Sequence, residues 1–300
     1  NKPVDPSIEE SKARMQAVLE LQKRLVISKG PPDARLRKDR LTRCIDLLIT
    51  HQNDFVEAMN ADFGNRSRDM TRLTDIAGAI GPLKEARESL EKWMKPQKRK
   101  VTPAALAMFG AKAEVRYQPK GVVGVISPWN FPVQLSFDAI AGAFAAGNRV
   151  MLKPSEFTPA TSALMARTID LYFDEDEIAV IVGGAEVGAA FSSLPFDHLI
   201  FTGATSVAKH VMRAAAENLV PVTLELGGKS PVVIGRSADL AKTAARVMTG
   251  KTMNAGQICL APDYVIAPSE SVRGFVDETK RAVAKMYPTI KDNADYTSMI

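Results

Sequence analysis

Between residues 7 and 28, Met15, Val18, Leu19, Leu25 and Val26 recur at the intervals of one helix face, with charged residues on the others. Pro31-Pro32 stops that helix. The same period predicts two more helices, about 34–59 and 69–94, separated near Gly64. Past residue 100 the texture changes. Glu114-Val115-Arg116-Tyr117-Gln118 alternates apolar and polar, as a half-exposed strand does. Gly121-Val122-Val123-Gly124-Val125-Ile126 is a nearly continuous apolar run, as in a strand covered on both faces. From there strands at 148–152, 178–182, 197–201 and 220–225 alternate with helices at 134–146, 159–173, from about 185, and 206–217. Such alternation implies a doubly wound parallel sheet with helices on both faces. A boundary falls near Gly227-Gly228, followed by strand 231–234, helix 238–250, a cysteine-bearing loop, strand 264–267 and helix 270–286. The architecture is therefore α/β: a doubly wound parallel-sheet domain preceded by helices, plus the first part of a second α/β unit that reads as unfinished at Ile300.

Composition narrows the classes. The 300 residues are 46% hydrophobic and 24% charged, enough for a sizeable core and about two domains. The net charge is +5, but basic residues are mixed among acids. The one local run, Lys95-Pro96-Gln97-Lys98-Arg99-Lys100, lacks interleaved aromatics and reads as a solvated linker, so no nucleic-acid partner is expected. The most apolar stretch, 139–147, is too short to span a bilayer, and no membrane partner is expected. Two cysteines point to a reducing compartment, the cytoplasm, without a disulfide framework. Cys44 lies in a helical pattern as core filling, and His51, His198 and His210 lack metal spacing, so no metal site is expected.

The candidate chemistry centres on Asn254-Ala255-Gly256-Gln257-Ile258-Cys259-Leu260, where small and amide residues run into a thiol. A tight bend of this kind can display a nucleophile, and a structural cysteine is the equal alternative. Asn130, framed by Trp129 and Phe131-Pro132, suits an oxyanion donor or a structural turn. Glu225 closes a strand before two glycines and can serve as a general base or as a salt-bridged surface residue. No G-x-G-x-x-G follows a strand. In its place, Phe201-Thr202-Gly203-Ala204 lead from a strand into a helix whose free amides can hold a pyrophosphate, or merely form a turn. Gly184 and Gly188 permit close approach of a cofactor. Lys153 and Glu156 lie just past a strand end, where a ribose diol can be bound or a helix simply capped.

Taken in order, these motifs resemble the NAD(P)-dependent aldehyde dehydrogenase superfamily, over about residues 115–270. Pro128-Trp129-Asn130-Phe131-Pro132-Val133-Gln134-Leu135 and Pro221-Val222-Thr223-Leu224-Glu225-Leu226-Gly227-Gly228-Lys229-Ser230-Pro231 are most similar to its class 3-like branch, and within it to bacterial coniferyl aldehyde dehydrogenases. The resemblance implies Cys259 as nucleophile, Glu225 as general base, and Asn130 with the Cys259 amide as oxyanion hole. It implies Lys153 and Glu156 at the adenosine ribose and Gly203 by the pyrophosphate. Ala204 stands where many members have serine, leaving only a backbone contact there. The implied cofactor is NAD, favoured by the carboxylate of Glu156, with NADP as an alternative. The implied reaction is oxidation of a bulky aromatic (coniferyl-like) or longer aliphatic aldehyde to its acid by the complete protein, a homodimer. Residues 1–225 would be the NAD(P)-binding domain, with 95–118 as linker and oligomerisation strand region, and 226–300 the N-terminal part of the catalytic domain. The family's later glutamate–phenylalanine motif and late oligomerisation strand are not reached before Ile300. Two competing functions are a cofactor-free cysteine hydrolase and a non-catalytic binding protein of the same fold.

Overall fold

The computed structural model describes residues 7–300. Helix α1 (Ile8–Lys29) starts with a capping box between Ser7 and Glu10, a cap of about 1 kcal/mol. It stops at Gly30, whose φ of 66° suits a residue without a side chain. Helices α2 (Ala34–Thr50) and α3 (Gln52–Phe63) follow. The expected single helix over 34–59 is thus two. At His51 the backbone leaves helical geometry (φ −101°, ψ 15°), although its amide still donates to Leu47. After Gly64, α4 (Arg68–Thr71), a π-helical turn at Arg72–Ala77 and α5 (Gly78–Trp93) run on as one rod.

Part of the exposed basic run forms a strand. Strand β1 (Gln97–Arg99) pairs antiparallel with β2 (Ala113–Val115), and the short helix α6 (Ala105–Met108) lies between them. Pro96 lacks an amide to continue β1, and with its partner ending at Gln97, β2 stops at Val115 instead of reaching Gln118.

The doubly wound unit comprises β3 (Val122–Ile126), α7 (Pro132–Ala145), β4 (Arg149–Lys153), α8 (Pro159–Tyr172), β5 (Ile178–Val180), α9 (Ala185–Ser192), β6 (His198–Gly203), α10 (Thr205–Ala216) and β7 (Val222–Leu226). Its five strands are parallel in the order β5-β4-β3-β6-β7. The pleat sends alternate side chains to opposite faces. Val123, Val125, Val150 and Leu152 join the core under α2, α5, α7 and α8, while Val122, Met151, Ala179 and Leu199 join the core under α1, α9 and α10. The chain order reverses between the adjacent strands β3 and β6, so the loops after them flank the crevice where open α/β sheets hold ligands.

Beyond Gly227-Gly228 a second, smaller arrangement holds β8 (Ser230–Val233) parallel to β9 (Pro262–Ile266), with α11 (Leu240–Thr252) and α12 (Val272–Met286). Its separate core contains Ile234, Ala244 and Phe275. Among the described residues no helix is long and apolar enough to cross a membrane.

Candidate active site

The predicted residues gather along the C-terminal edge of the five-stranded sheet. Lys153 ends β4, the Ser127–Phe131 turn follows β3, Gly203 ends β6, and Glu225 lies one residue from the end of β7. Glu225 is paired in register with Thr202, so the candidate base sits beside the candidate pyrophosphate turn.

Cys259 is exposed, whereas Cys44 is buried in the helical core. The loop before Cys259 departs from ordinary backbone geometry. Asn254 (φ 48°, ψ 34°) and Ala255 (φ 53°, ψ 28°) are left-handed, and Gly256 has a φ of 78°. Each non-glycine residue there carries a strain of about 1 kcal/mol or more. The side chain of Asn254 offsets part of it. Its buried Nδ2 donates to the Asn130 carbonyl at 3.1 Å and to the Gln257 carbonyl at 3.4 Å, while its Oδ1 has no partner among the described residues. Asn130 Nδ2 donates to the Gln257 carbonyl at 2.9 Å, two residues before the thiol. Gln257 in turn donates to the carbonyls of Asn254 (3.0 Å) and Ser298 (3.1 Å). A side chain on Gly228 would come within 2.9 Å of the Cys259 carbonyl oxygen, so the glycines after Glu225 abut the cysteine turn. The side chains of Cys259, Glu225 and Asn130 make no hydrogen bond to one another among the described residues.

On the other side of the crevice, Lys153 is buried and its Nζ donates to Glu156 Oε2 at 2.6 Å. Burial disfavours the Glu156 carboxylate, but the Lys153 hydrogen bond prevails and holds its pKa below the usual carboxylate value. Gly188 faces this pair, the Lys153 ammonium standing 3.9 Å from where a side chain would begin. Gly184 sits at the cap of α9 with open space around it. The neighbouring Gly183 has no room for a side chain, with φ 155° and Val187 against it at 2.6 Å. Gly203 is required by the ring of Phe201, 2.7 Å from any added side chain. Helix α10 starts at Ala204 with no side-chain cap, which leaves its first amides available to an anion.

Four further residues shape the site without a sequence signal of comparable clarity. Asp75 and Arg66 form a fully buried ion pair of 2.7 Å. Arg66 also donates to the Asn130 carbonyl at 2.9 Å, and Asp75 accepts from the amides that open α7. Asn254 and Gln257, noted in sequence only as small and amide positions, cross-link the loop to Asn130. Asn-Ala-Gly is the one pattern that hints at left-handed backbone.

The fold and this strand-edge cluster define an α/β enzyme-like unit with a displayed thiol, and the comparisons give it a family. The aldehyde dehydrogenase family model matches residues 24–300, and the chain belongs to that family. It is 65% identical, over all 300 residues, to the probable coniferyl aldehyde dehydrogenase of Caulobacter vibrioides, of which it covers 62%. Among solved structures it matches the substrate-bound state of Staphylococcus aureus AldH with a TM-score of 0.90 at 34% identity, covering 95% of this chain and 62% of that one. It also matches a Mycobacterium tuberculosis aldehyde dehydrogenase complexed with NAD+, with a TM-score of 0.80 at 28% identity, covering 91% of this chain and 56% of that one. The chain thus spans about three fifths of the length of the relatives it matches.

Proposed function

We propose that the complete protein oxidises an aldehyde to its carboxylic acid with NAD, and NADP as a second cofactor, through a covalent adduct on Cys259. The observation that carries this reading is the bond from Asn130 Nδ2 to the Gln257 carbonyl, which ties the candidate oxyanion donor to the loop displaying the exposed thiol. Likeness to a coniferyl aldehyde dehydrogenase supports a bulky aromatic, coniferyl-like aldehyde as substrate, ahead of longer aliphatic ones.

The residues fit a dinucleotide. The Lys153–Glu156 pair offers a donor and an acceptor to a ribose diol, Gly188 leaves room beside it, and the uncapped start of α10 after Gly203-Ala204 offers amides to a pyrophosphate. Phe201 and Thr202 set that turn, and Gly184 opens the far side. When bound, the nicotinamide supplies the two-electron acceptor. The Cys259 thiolate adds to the carbonyl carbon and makes it tetrahedral. The second N–H of Asn130 and the backbone amide of Cys259 donate to the resulting oxyanion. Once that adduct is oxidised, the acyl group rests on Cys259 as a thioester. Glu225 then takes a proton from the water that attacks it, releasing the acid and the free thiol.

Residues 1–225 serve the cofactor and 226–300 begin the catalytic domain. The projecting β1–β2 ribbon is the element we assign to homodimer formation, and the two free cysteines fit a reducing cytoplasm.

The test uses the full-length protein with coniferyl aldehyde and NAD, following reduced-cofactor absorbance. Cys259→Ala is expected to abolish turnover and still bind NAD. Glu225→Gln is expected to keep a burst of one reduced cofactor per site and then stall. Substantial turnover by the first variant, or equal loss of burst and steady state in the second, refutes these roles. Cleavage of a coniferyl-type ester without cofactor, together with no oxidation of the aldehyde when NAD is supplied, would establish the cysteine hydrolase instead.

A further inference from the structure

We propose that Arg66 and Asp75 are positioning residues for the Cys259 loop, acting through the peptide of Asn130. The inference rests on the roles given above to Cys259 and Asn130.

One ion pair clamps both ends of a short segment. Arg66 donates to the Asn130 carbonyl at 2.9 Å, while Asp75 Oδ1 accepts from the amides of Val133 (3.2 Å) and Gln134 (3.3 Å). The two side chains are joined by the 2.7 Å bond between them, at 1% and 0% exposure. Within the clamped segment Pro132 has no amide, so the turn cannot fix itself by a regular backbone ladder there. The guanidinium lies 4.5 Å from the Phe63 ring and 5.3 Å from the Phe131 ring. Asp75 reaches this place from the π-helical turn Arg72–Ala77, and Thr74 Oγ1 supports its other oxygen at 3.3 Å. Single π-turns in helices are frequent at functional sites.

Stability alone does not account for the pair. Burying two charges costs several kcal/mol per ion, and well-packed apolar residues of similar volume are often as stable. Here the Arg66 Nε is buried without a partner, which adds to that cost. What the pair supplies is a fixed acceptor geometry. The Asn130 carbonyl, held by Arg66, also receives the Asn254 amide, and the Asn130 amide reaches the Gln257 carbonyl. Three distant segments, 63–75, 127–134 and 254–259, therefore meet at one peptide. A shift of that peptide moves the oxyanion donor and the thiol loop together.

The test compares Arg66→Met, Arg66→Lys, Asp75→Asn, Asn130→Ala and the Arg66→Met/Asn130→Ala double variant in the full-length enzyme. Arg66→Met and Asp75→Asn are expected to lower kcat at least about 10-fold, within the roughly 10²- to 10³-fold set by losing the donor itself. NAD affinity by fluorescence titration should stay unchanged, and Arg66→Lys should recover part of the loss. In the Asn130→Ala background, Arg66→Met should cost less than it does in the parent, because the part of its loss that runs through the Asn130 side chain is already gone while the part that runs through Asn254 and the thiol loop remains. A lowered Tm with normal kcat in Arg66→Met and Asp75→Asn, or fully multiplicative losses in the double variant, overturns the inference. If Arg66→Met does not fold, Asp75→Asn, which keeps shape and volume, decides alone. Full kcat in Asn130→Ala would instead remove the oxyanion role on which the inference stands.

Discussion

Gly228→Ala tests the contact between the segment that follows β7 and the cysteine turn. A methyl at this position would lie 2.9 Å from the Cys259 carbonyl oxygen, a backbone atom that cannot rotate aside. Comfortable carbon–oxygen contact begins at about 3.3 Å, so the turn must shift by about 0.4 Å. A 1 Å misplacement at a reacting centre costs about 10²-fold; scaled in free energy, the shift predicts a fall in kcat of about 5- to 10-fold. Both residues are exposed, so the turn relaxes outward and the loss of stability stays at or below about 1 kcal/mol, the low end of overpacking. The assay is kcat for coniferyl aldehyde at saturating NAD in the full-length protein, with Tm and the alkylation rate of Cys259 measured alongside. Gly227→Ala is the internal control, because nothing lies within 4 Å of its added methyl; its Tm and alkylation rate should match the parent. A Gly228→Ala enzyme within two-fold of the parent kcat would show that this abutment does not set the thiol's position.

Two other perturbations read different parts of the molecule. Lys153→Met removes a buried ammonium bonded to Glu156 at 2.6 Å; a hydrogen bond to a charged group is worth about 1.5–3 kcal/mol, so the NAD Kd should rise about 10- to 100-fold while Cys259 alkylation is unaffected. An unchanged Kd would take Lys153 out of the cofactor site. Asp138, half-buried on α7, has its pKa pushed up to about 6 by burial, with Gln134 opposing and Asp75 adding to the rise, and its Oδ1 has no partner. The folded state therefore holds the extra proton, so Asp138 lowers stability as pH climbs from about 4 to about 6 and the loss is complete above that. A rise from 3.8 to about 6 would correspond to about 3 kcal/mol if fully desolvated, and partial solvent screening reduces it to about 1 kcal/mol. Urea unfolding of Asp138→Asn should show that gain at pH 8 and none near pH 4. An equal gain at both would mean that the charge is not the cause.

Legibility in the sequence follows the range of the interaction. The strands under the crevice could be read because an apolar run in a parallel sheet buries both faces, and their ends fall within a few residues of the pattern. The break at His51 could not, since the apolar stripe continues across it and only a change in chain direction separates α2 from α3. The basic run 95–100 looked solvated, and its side chains are exposed; its strand pairing depends on Ala113–Val115 across an intervening turn, which local composition does not encode. Arg66 and Asp75 lie in ordinary polar surroundings in the chain, among Asn65, Ser67, Arg68 and Thr74. Nothing in their neighbours predicts complete burial, because the aromatic walls and the helix start that enclose them arrive from residues 63 and 131–134.

The sequence by itself determined the alternation of strands and helices, the family to which the motifs belong, and the identity of the groups with chemistry to offer: a thiol, a carboxylate, a side-chain amide and a lysine–glutamate pair. These are local properties, set by side-chain type and by periods of two and 3.6 residues. Only the tertiary structure decided that Glu225 lies in register with Thr202, that Gly228 abuts the Cys259 turn, and that a buried ion pair reaches Asn130. Those relations depend on strand order, on the left-handed turn at Asn254-Ala255, and on contacts between residues tens of positions apart, which exist only once the chain has folded.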